Sequence, residues 1–229
     1  MTATSIGLMC KPPRAGVSKT RLAAVIGEER AAMLARGFLL DGAALAKLTA
    51  RREDATLIAF HAPADAGAEM AQFLPGWRLE PQAEGDLGQR MGAAFVTLFA
   101  DGAKAALLLG TDAPTLPPAL LELCLAAIHA GADACVVPAL DGGYCAIALA
   151  RPLPALMRDM PWSTPGLLGA TRARAVAEGL RLDVLQTWHD VDDAEDLERL
   201  RLTLDGERLP GCSPLPPFRA SATRATLQG

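Results

Sequence analysis

No apolar run in this sequence approaches the roughly 20 residues of a membrane-spanning helix; stretches such as Ala105–Leu109 and Ala134–Pro138 are far shorter. No bilayer-spanning segment is therefore expected. An excess of positive charge is also missing, because 22 Lys and Arg face 26 Asp and Glu for a net charge of −4. That balance argues against a surface that grips nucleic acid by neutralising phosphates along a strand, and leaves room only for a small, locally basic pocket. The three histidines, His61, His129 and His189, have no metal-ligand spacing with one another or with cysteine, which argues against a zinc site. Five cysteines (Cys10, Cys124, Cys135, Cys145, Cys212) form no C-x-x-C pair, and two lie inside apolar runs, where a free thiol acts as a small hydrophobe. Met1–Cys10 has no charged stretch before its apolar run, so no secretory signal is read and a cytoplasmic location is expected. Also lacking are a G-x-S-x-G nucleophile elbow, a G-x-G-x-x-G fingerprint and, before Lys19, the glycine of a phosphate-binding P-loop.

What is present is a rhythm. Short apolar runs alternate with longer helical patterns, the sign of βαβ units and a mainly parallel sheet with helices on both faces. Strands are expected at 5–10, 55–61, 77–80, 105–110, 134–138, 144–150 and near 181–185, and helices at 28–49, 65–74, 88–99, 117–130, 164–178 and 194–204. The class is α/β. Only Asp141-Gly142-Gly143 separates two of the strands, so a hairpin-like excursion is expected near 138–150. One domain is read over 1–204; beyond it Pro210, Pro214, Pro216 and Pro217 crowd a segment, 205–229, expected to be flexible or laid over the surface.

Five segments are candidates for chemistry. Lys11, Arg14, Lys19 and Arg21 crowd eleven residues after the first strand, with Gly16 allowing close backbone approach, a pattern suited to polyphosphate or to nothing more than a solvated loop. Asp112 ends a buried strand at Gly110-Thr111-Asp112, where a carboxylate holds a hard cation or merely caps a turn ahead of Pro114. Asp141-Gly142-Gly143-Tyr144 offers main-chain amides to a ligand, or simply turns. Asp190 and Asp192 share one face of an extended segment before a helix that Asp193 would cap, which makes them candidate metal ligands. Gln82, Asp86 and Arg90 sit in a polar, glycine-punctuated loop entering a helix, able to contact a base or an acceptor, or to serve as a capped connection.

The order of K-x-P-x-x-G-x-x-K-T-R-L (11–22), Q-x-x-G-D-L-G-x-R-M (82–91), G-T-D-A-P-x-L (110–116), P-A-x-D-G-G-Y (138–144), W-S-T (162–164) and D-V-D-x-x-E-D-L (190–197) resembles a family of small bacterial GT-A glycosyltransferase-like proteins. These are also named radical-SAM-associated transferases and belong to the nucleotide-diphospho-sugar transferase superfamily. The sequence is more distantly similar to molybdenum-cofactor guanylyltransferase and 2-phospholactate guanylyltransferase. The resemblance implies a GT-A Rossmann-like fold and a nucleotide donor, either a triphosphate or a nucleotide sugar, held by Lys11, Gly16, Lys19, Arg21, Gln82, Asp86 and Arg90. It implies Mg²⁺ or Mn²⁺ on Asp112 with Asp190 or Asp192, catalytic roles for Lys19, Asp112 and Asp141, and a small-molecule acceptor near Asp141–Tyr144 and Trp162, Ser163 and Thr164. No nucleic acid or membrane partner is implied, and a homodimer is left open. The single carboxylate at Asp112, where glycosyltransferases of this fold place a D-x-D pair, favours nucleotidyl transfer over glycosyl transfer. The charge of the basic loop points the same way, and a non-catalytic nucleotide sensor is the third reading. Met9-Cys10 and Cys145 depart from the usual pattern, in which aromatics stand near these positions.

Overall fold

A computed structural model describes residues 3–228. Seven strands form one sheet: β1 (Thr4–Cys10), β2 (Thr56–His61), β3 (Arg78–Pro81), β4 (Ala105–Leu109), β5 (Ala134–Pro138), β6 (Tyr144–Leu149) and β7 (Leu182–Val184), in the order β3-β2-β1-β4-β6-β5-β7. All neighbours are parallel except β6, which runs antiparallel to both β4 and β5. The strand expectations hold to within about one residue at each end. The excursion near 138–150 is the β5–β6 hairpin, with a register shift at Val137/Pro138.

Central strands are apolar on both faces because helices cover both. In β4, Leu107 and Leu109 join Ile6, Leu8 and Val137 under α2 (Glu28–Glu53) and α5 (Pro118–His129). Ala106 and Leu108 instead join Phe60, Val136 and Ile147 under α4 (Leu87–Ala100) and α6 (Leu167–Ala177). The remaining helices are α1 (Thr20–Ile26), α3 (Gly67–Phe73), α7 (Ala194–Leu204) and α8 (Ser221–Gln228). Among the described residues no helix is long and apolar enough to cross a membrane.

The chain moves outward from β1 to β2 and β3, then returns to place β4 on the other side of β1. Loops at the carboxyl ends of β1 and β4 therefore diverge and leave a crevice, the position where open α/β sheets bind ligands. A further segment reaches this crevice after β7. Trp188 N–H donates to Pro138 O at 2.9 Å and Val191 N–H to Asp112 O at 2.9 Å, so residues 188–192 are laid along the ends of β5 and β4. His189 anchors that segment from beneath: fully buried, its Nε2 lies 3.0 Å from Thr203 Oγ1 on α7 and 3.4 Å from Thr115 Oγ1.

Segment 205–228 runs across the surface and ends in a helix the sequence reading did not foresee. Phe218 N–H donates to Thr115 O, and Asp41, buried in the middle of α2, accepts from the main-chain N–H groups of Ala222 and Thr223 at 3.1 and 2.7 Å. A carboxylate on a distant helix thus performs the N-capping that no local residue supplies to α8.

Two consequences can be measured. Replacing Asp41 with Ala leaves two N–H groups without an acceptor and is expected to cost about 2 kcal/mol in urea unfolding, with earlier proteolytic release of the C-terminal helix. Burial lowers the His189 pKa from 6.5 to about 4. Between those values the unfolded chain binds a proton that the native one refuses, so stability falls as pH drops, by up to about 1.4 kcal/mol per pH unit. The variant His189→Asn should lack this part of the acid sensitivity; an unchanged slope in pH-dependent unfolding would contradict it.

Candidate active site

The crevice is a cleft of about 900 Å³. Its walls include Lys11, Lys19 and Arg21 from the loop and helix after β1, Asp112 after β4, and Asp190 and Asp192 from the segment after β7. Gln82 and Arg90 close one side, and Asp141, Gly143, Tyr144, Trp162 and Ser163 the other. The distant basic and acidic motifs of the sequence therefore converge at one sheet edge.

Lys19 is the centre of this convergence. Its Nζ lies 2.6 Å from Asp112 Oδ1 and 2.9 Å from Asp192 Oδ1, and it donates to Val191 O at 2.7 Å. The aromatic ring of Phe38 lies 5.5 Å away. Burial disfavours the ammonium, but the carboxylates of Asp112 and Asp192 outweigh it and hold the Lys19 pKa above that of an ordinary lysine. Its backbone sits in the left-handed region at φ 50°, ψ 51°, unusual for a side-chain-bearing residue and tolerated where surrounding contacts fix it. Arg21 Nη2 holds the other oxygen of Asp192 at 2.6 Å. Burial alone would raise the Asp192 pKa; the two cations reverse this and lower it.

The basic loop is thus not an open cradle of four cations. Arg14 is paired with Glu69 on α3 at 2.5 Å, and Lys19 and Arg21 are held by carboxylates, while Lys11 has no ion-pair partner among the described residues. The loop therefore lacks the surplus of positive charge that its sequence suggests, since native carboxylates already balance most of it. Asp190 is in the opposite condition. It is largely buried without a cation, and burial first, then the neighbouring Asp141 and Asp192 carboxylates, push its pKa up to about 7. Among the described residues no three His, Cys, Asp or Glu side chains form a ready-made metal cage.

Several expected site residues have structural roles in the fold. Gly16 does not line the cleft; at φ +73° it shapes the turn beside the Glu28 carboxylate. Asp86 is the N-cap of α4, accepting from Gln89 N–H at 2.8 Å while Gln89 Oε1 accepts from Asp86 N–H, and it too lies off the cleft. The Asp141 turn does not offer its amides to a ligand, because Gly143 N–H is taken by Asp141 Oδ1 at 2.8 Å and Gly142 N–H by Ala139 O. Gly142 instead permits close packing, since a Cβ there would fall 2.4 Å from Pro165 O. Thr164 donates its hydroxyl to Pro161 O and stays outside the cleft wall. Trp162 is brought over α4 by Gly88, where a Cβ would meet its Nε1 at 2.3 Å, and its ring meets Tyr144 edge-on at 6.2 Å.

Met9, whose departure from the usual pattern falls at the pocket wall, lines the cleft, but sequence reasoning missed the rest of its apolar half, Met91, Leu108 and Ile147. Each reads in sequence as ordinary core. Only the divergence of the strand ends leaves these side chains facing open space.

Lys19→Ala is expected to unfold at lower urea concentration. Breaking a buried ion pair costs about 3–5 kcal/mol, and because Asp112 is half exposed and Arg21 still holds Asp192, roughly 1–3 kcal/mol is expected here. A loss below about 0.5 kcal/mol would show that the bridge is not a structural tie.

With this geometry in place, similarity to known proteins becomes informative. A family of uncharacterized proteins conserved in bacteria, DUF2064, matches residues 44–164, more than half of the chain. No curated protein matches the sequence. A crystal structure from Desulfovibrio desulfuricans G20, provisionally named a nucleotide-diphospho-sugar transferase, is 30% identical with a TM-score of 0.84, covering 100% of this chain and 95% of its own. At 12% identity and a TM-score of 0.53, CMP:2-keto-3-deoxy-manno-octonic acid synthetase, solved with CTP, shares the fold over 89% of this chain and 99% of its own. Rv0371c of Mycobacterium tuberculosis H37Rv, solved with manganese, shares it at 17% identity and a TM-score of 0.50, over 87% of this chain and 98% of its own. The chain belongs to the DUF2064 family and is built on the nucleotide-diphospho-sugar transferase fold.

Proposed function

We propose that this transferase binds a nucleotide donor in the cleft and moves a nucleotidyl group from a nucleoside triphosphate to a small phosphate-bearing acceptor, releasing pyrophosphate in the cytoplasm. The observation that carries the reading is the single carboxylate Asp112 at the end of β4, held by the buried ammonium of Lys19 where the loops of β1 and β4 diverge. A lysine at that point supplies positive charge beside the reacting phosphates, and Lys11, without an ion-pair partner among the described residues, adds a second.

The donor set suits a hard divalent cation, Mg²⁺ or Mn²⁺. Asp190 is a largely buried carboxyl crowded by Asp141 and Asp192 with no cation against it, and Asp112 is half exposed to the same cleft. Magnesium is commonly held by one or two carboxylates together with substrate phosphates rather than by a full protein cage. Both oxygens of Asp192 are held, Oδ1 by Lys19 and Oδ2 by Arg21, whereas Lys19 holds only Oδ1 of Asp112, so the proposed ligands are Asp112 and Asp190. Such an ion, when bound, neutralises charge developing around the attacked phosphorus.

The rest falls to the chain itself. Lys19 trades part of its hold on Asp112 for a donor phosphate, while Val191 O and Asp192 keep its ammonium in place. Asp141, with one oxygen fixed by Gly143 N–H, orients the acceptor, and Tyr144 and Trp162 bound its pocket. Little covalent chemistry is required, since positioning and charge stabilisation supply most of such a barrier's reduction. The Tyr144 hydroxyl is bound to Thr171, and burial pushes its pKa up to about 12, so it is not proposed as an acid or base.

Glycosyl transfer from a nucleotide-diphospho-sugar is the second reading. It is favoured by the provisional name of the 30% identical relative and by the resemblance to glycosyltransferase-like proteins. A non-catalytic sensor is disfavoured by the acidic groups gathered at the cleft. Phosphorus NMR of the leaving group separates the readings. Acceptor-dependent pyrophosphate from a triphosphate is the expected result, and acceptor-dependent nucleoside diphosphate from a nucleotide sugar would favour glycosyl transfer. Asp112→Asn, nearly isosteric, is expected to fold normally and lose at least about 100-fold in turnover, on the scale of losing one charge-stabilising group; turnover near the parent's would remove Asp112 from the metal site.

A further inference from the structure

The cleft has two chemically different ends. Asp141, Asp190 and Tyr144 lie toward β6, whereas the wall toward β2 and β3 is made by Gln82 and Arg90, with Leu87 and Met91 beside them; Trp162, packed on Gly88 and edge-on to Tyr144, stands between the two. Gln82 follows β3 directly, and its carboxamide is fully committed. Nε2 donates to Cys10 O at 3.3 Å and Phe60 O at 2.9 Å, and Oε1 accepts from Arg90 Nη1 at 3.3 Å. The amide orientation is fixed by this arrangement, because reversing it would set Oε1 against two carbonyl oxygens. Arg90 Nε points to Asp86 O at 3.4 Å, and no carboxylate pairs with Arg90 among the described residues. Of its five N–H donors two are engaged, which leaves both hydrogens of Nη2 and one of Nη1 on a planar fork at the cleft wall.

This uncommitted fork lies at the end of the cleft away from the carboxylates. A nucleotide whose phosphates rest beside Lys19 at the β1/β4 junction extends its nucleoside to one side or the other. The β6 side is acidic and bounded by the proposed acceptor pocket; the β3 side offers an apolar surface from Met9, Leu87 and Met91 and the free edge of Arg90. We propose that Arg90, aimed by Gln82, reads the base of the donor nucleotide and selects one with two adjacent acceptors on an edge: guanine through O6 and N7, or cytosine through N3 and O2. Adenine sets its amino donor beside N1 and N7 and leaves N3 alone on the sugar edge, and uracil places N3–H between its two carbonyls, so neither offers the fork two neighbouring acceptors. Arg90 is the specificity-determining residue and Gln82 a positioning residue. This inference rests on the reading of the cleft as a nucleotide-donor site.

Calorimetric titration of the full chain with GTP, CTP, ATP and UTP in the presence of Mg²⁺ tests it. GTP or CTP is expected to bind on the order of tenfold or more tighter than ATP and UTP, the discrimination typical of one bidentate arginine contact. If guanine is the base read, 7-deaza-GTP, which lacks the N7 acceptor, loses most of that advantage; if cytosine is read, CTP leads and the 7-deaza change has no effect. Arg90→Lys keeps the charge without the fork and should lower affinity for the preferred nucleotide about tenfold more than for ATP or UTP. Gln82→Ala should narrow the same ratio while circular dichroism stays that of the parent, an outcome that a purely structural role would not give. Nucleotide binding without base preference, a preference for ATP or UTP, or a ratio unmoved by Arg90→Lys would overturn this inference alone. Failure of every triphosphate and nucleotide sugar to bind would overturn the nucleotide-donor reading with it.

Discussion

The arrangement depends on one buried ammonium. Lys19 closes contacts between three segments far apart in sequence: its own loop after β1, Asp112 at the end of β4, and Val191–Asp192 after β7. Buried charge is unfavourable unless it is paired and hydrogen-bonded. Two carboxylates and a carbonyl oxygen satisfy all three ammonium donors, which is also why a left-handed backbone at residue 19 persists. The same contacts leave a cation beside Asp112 with part of its hold open to exchange, so in the proposed reaction the structural tie and the phosphate-binding group are one side chain.

Much of the rest keeps that tie in place. The segment carrying Asp190 and Asp192 is fixed by main-chain hydrogen bonds to Pro138 O and Asp112 O and by the neutral, buried His189 between Thr115 and Thr203. The C-terminal strap runs over the same turn through Phe218 N–H and Thr115 O before Asp41 caps its last helix. Arg14 and Glu69 hold the far side of the basic loop against α3. Each of these contacts joins elements distant in sequence, and together they set the edge of the cleft.

That distribution explains what was legible in the sequence. The strands of the sheet could be read because buried parallel strands are continuous apolar runs bounded by turn residues, and the β5–β6 hairpin because only a D-G-G turn fits between them. Asp112, Asp190 and Asp192 could be singled out because carboxylates at strand ends have few other reasons to cluster. The partnership of Lys19 with Asp112 and Asp192 could not, since charge type and spacing say nothing of which ions meet across segments so far apart in sequence, 173 residues for Asp192. A capping box and a positive-φ turn use the same residue types as a nucleotide loop, so sequence alone cannot separate the structural roles of Asp86 and Gly16 from contact with a ligand. Helix α8 escaped because its cap, Asp41, lies on another helix. Arg90 stands in a motif visible in the sequence, but its orientation by Gln82 depends on the carbonyls of Cys10 and Phe60, which only the β1–β2 pairing brings together.

The most direct measurement of the central claim is nitrogen NMR of the lysine ammonium groups, with Lys19→Ala used to assign the Lys19 signal. The account predicts one slowly exchanging ammonium resonance in the free protein, because Lys19 is nine-tenths buried and has three acceptors, and a shift of that resonance when a nucleoside triphosphate and Mg²⁺ are added together. An ammonium that exchanges as fast as the surface lysines, or one untouched by a nucleotide that demonstrably binds, would contradict it.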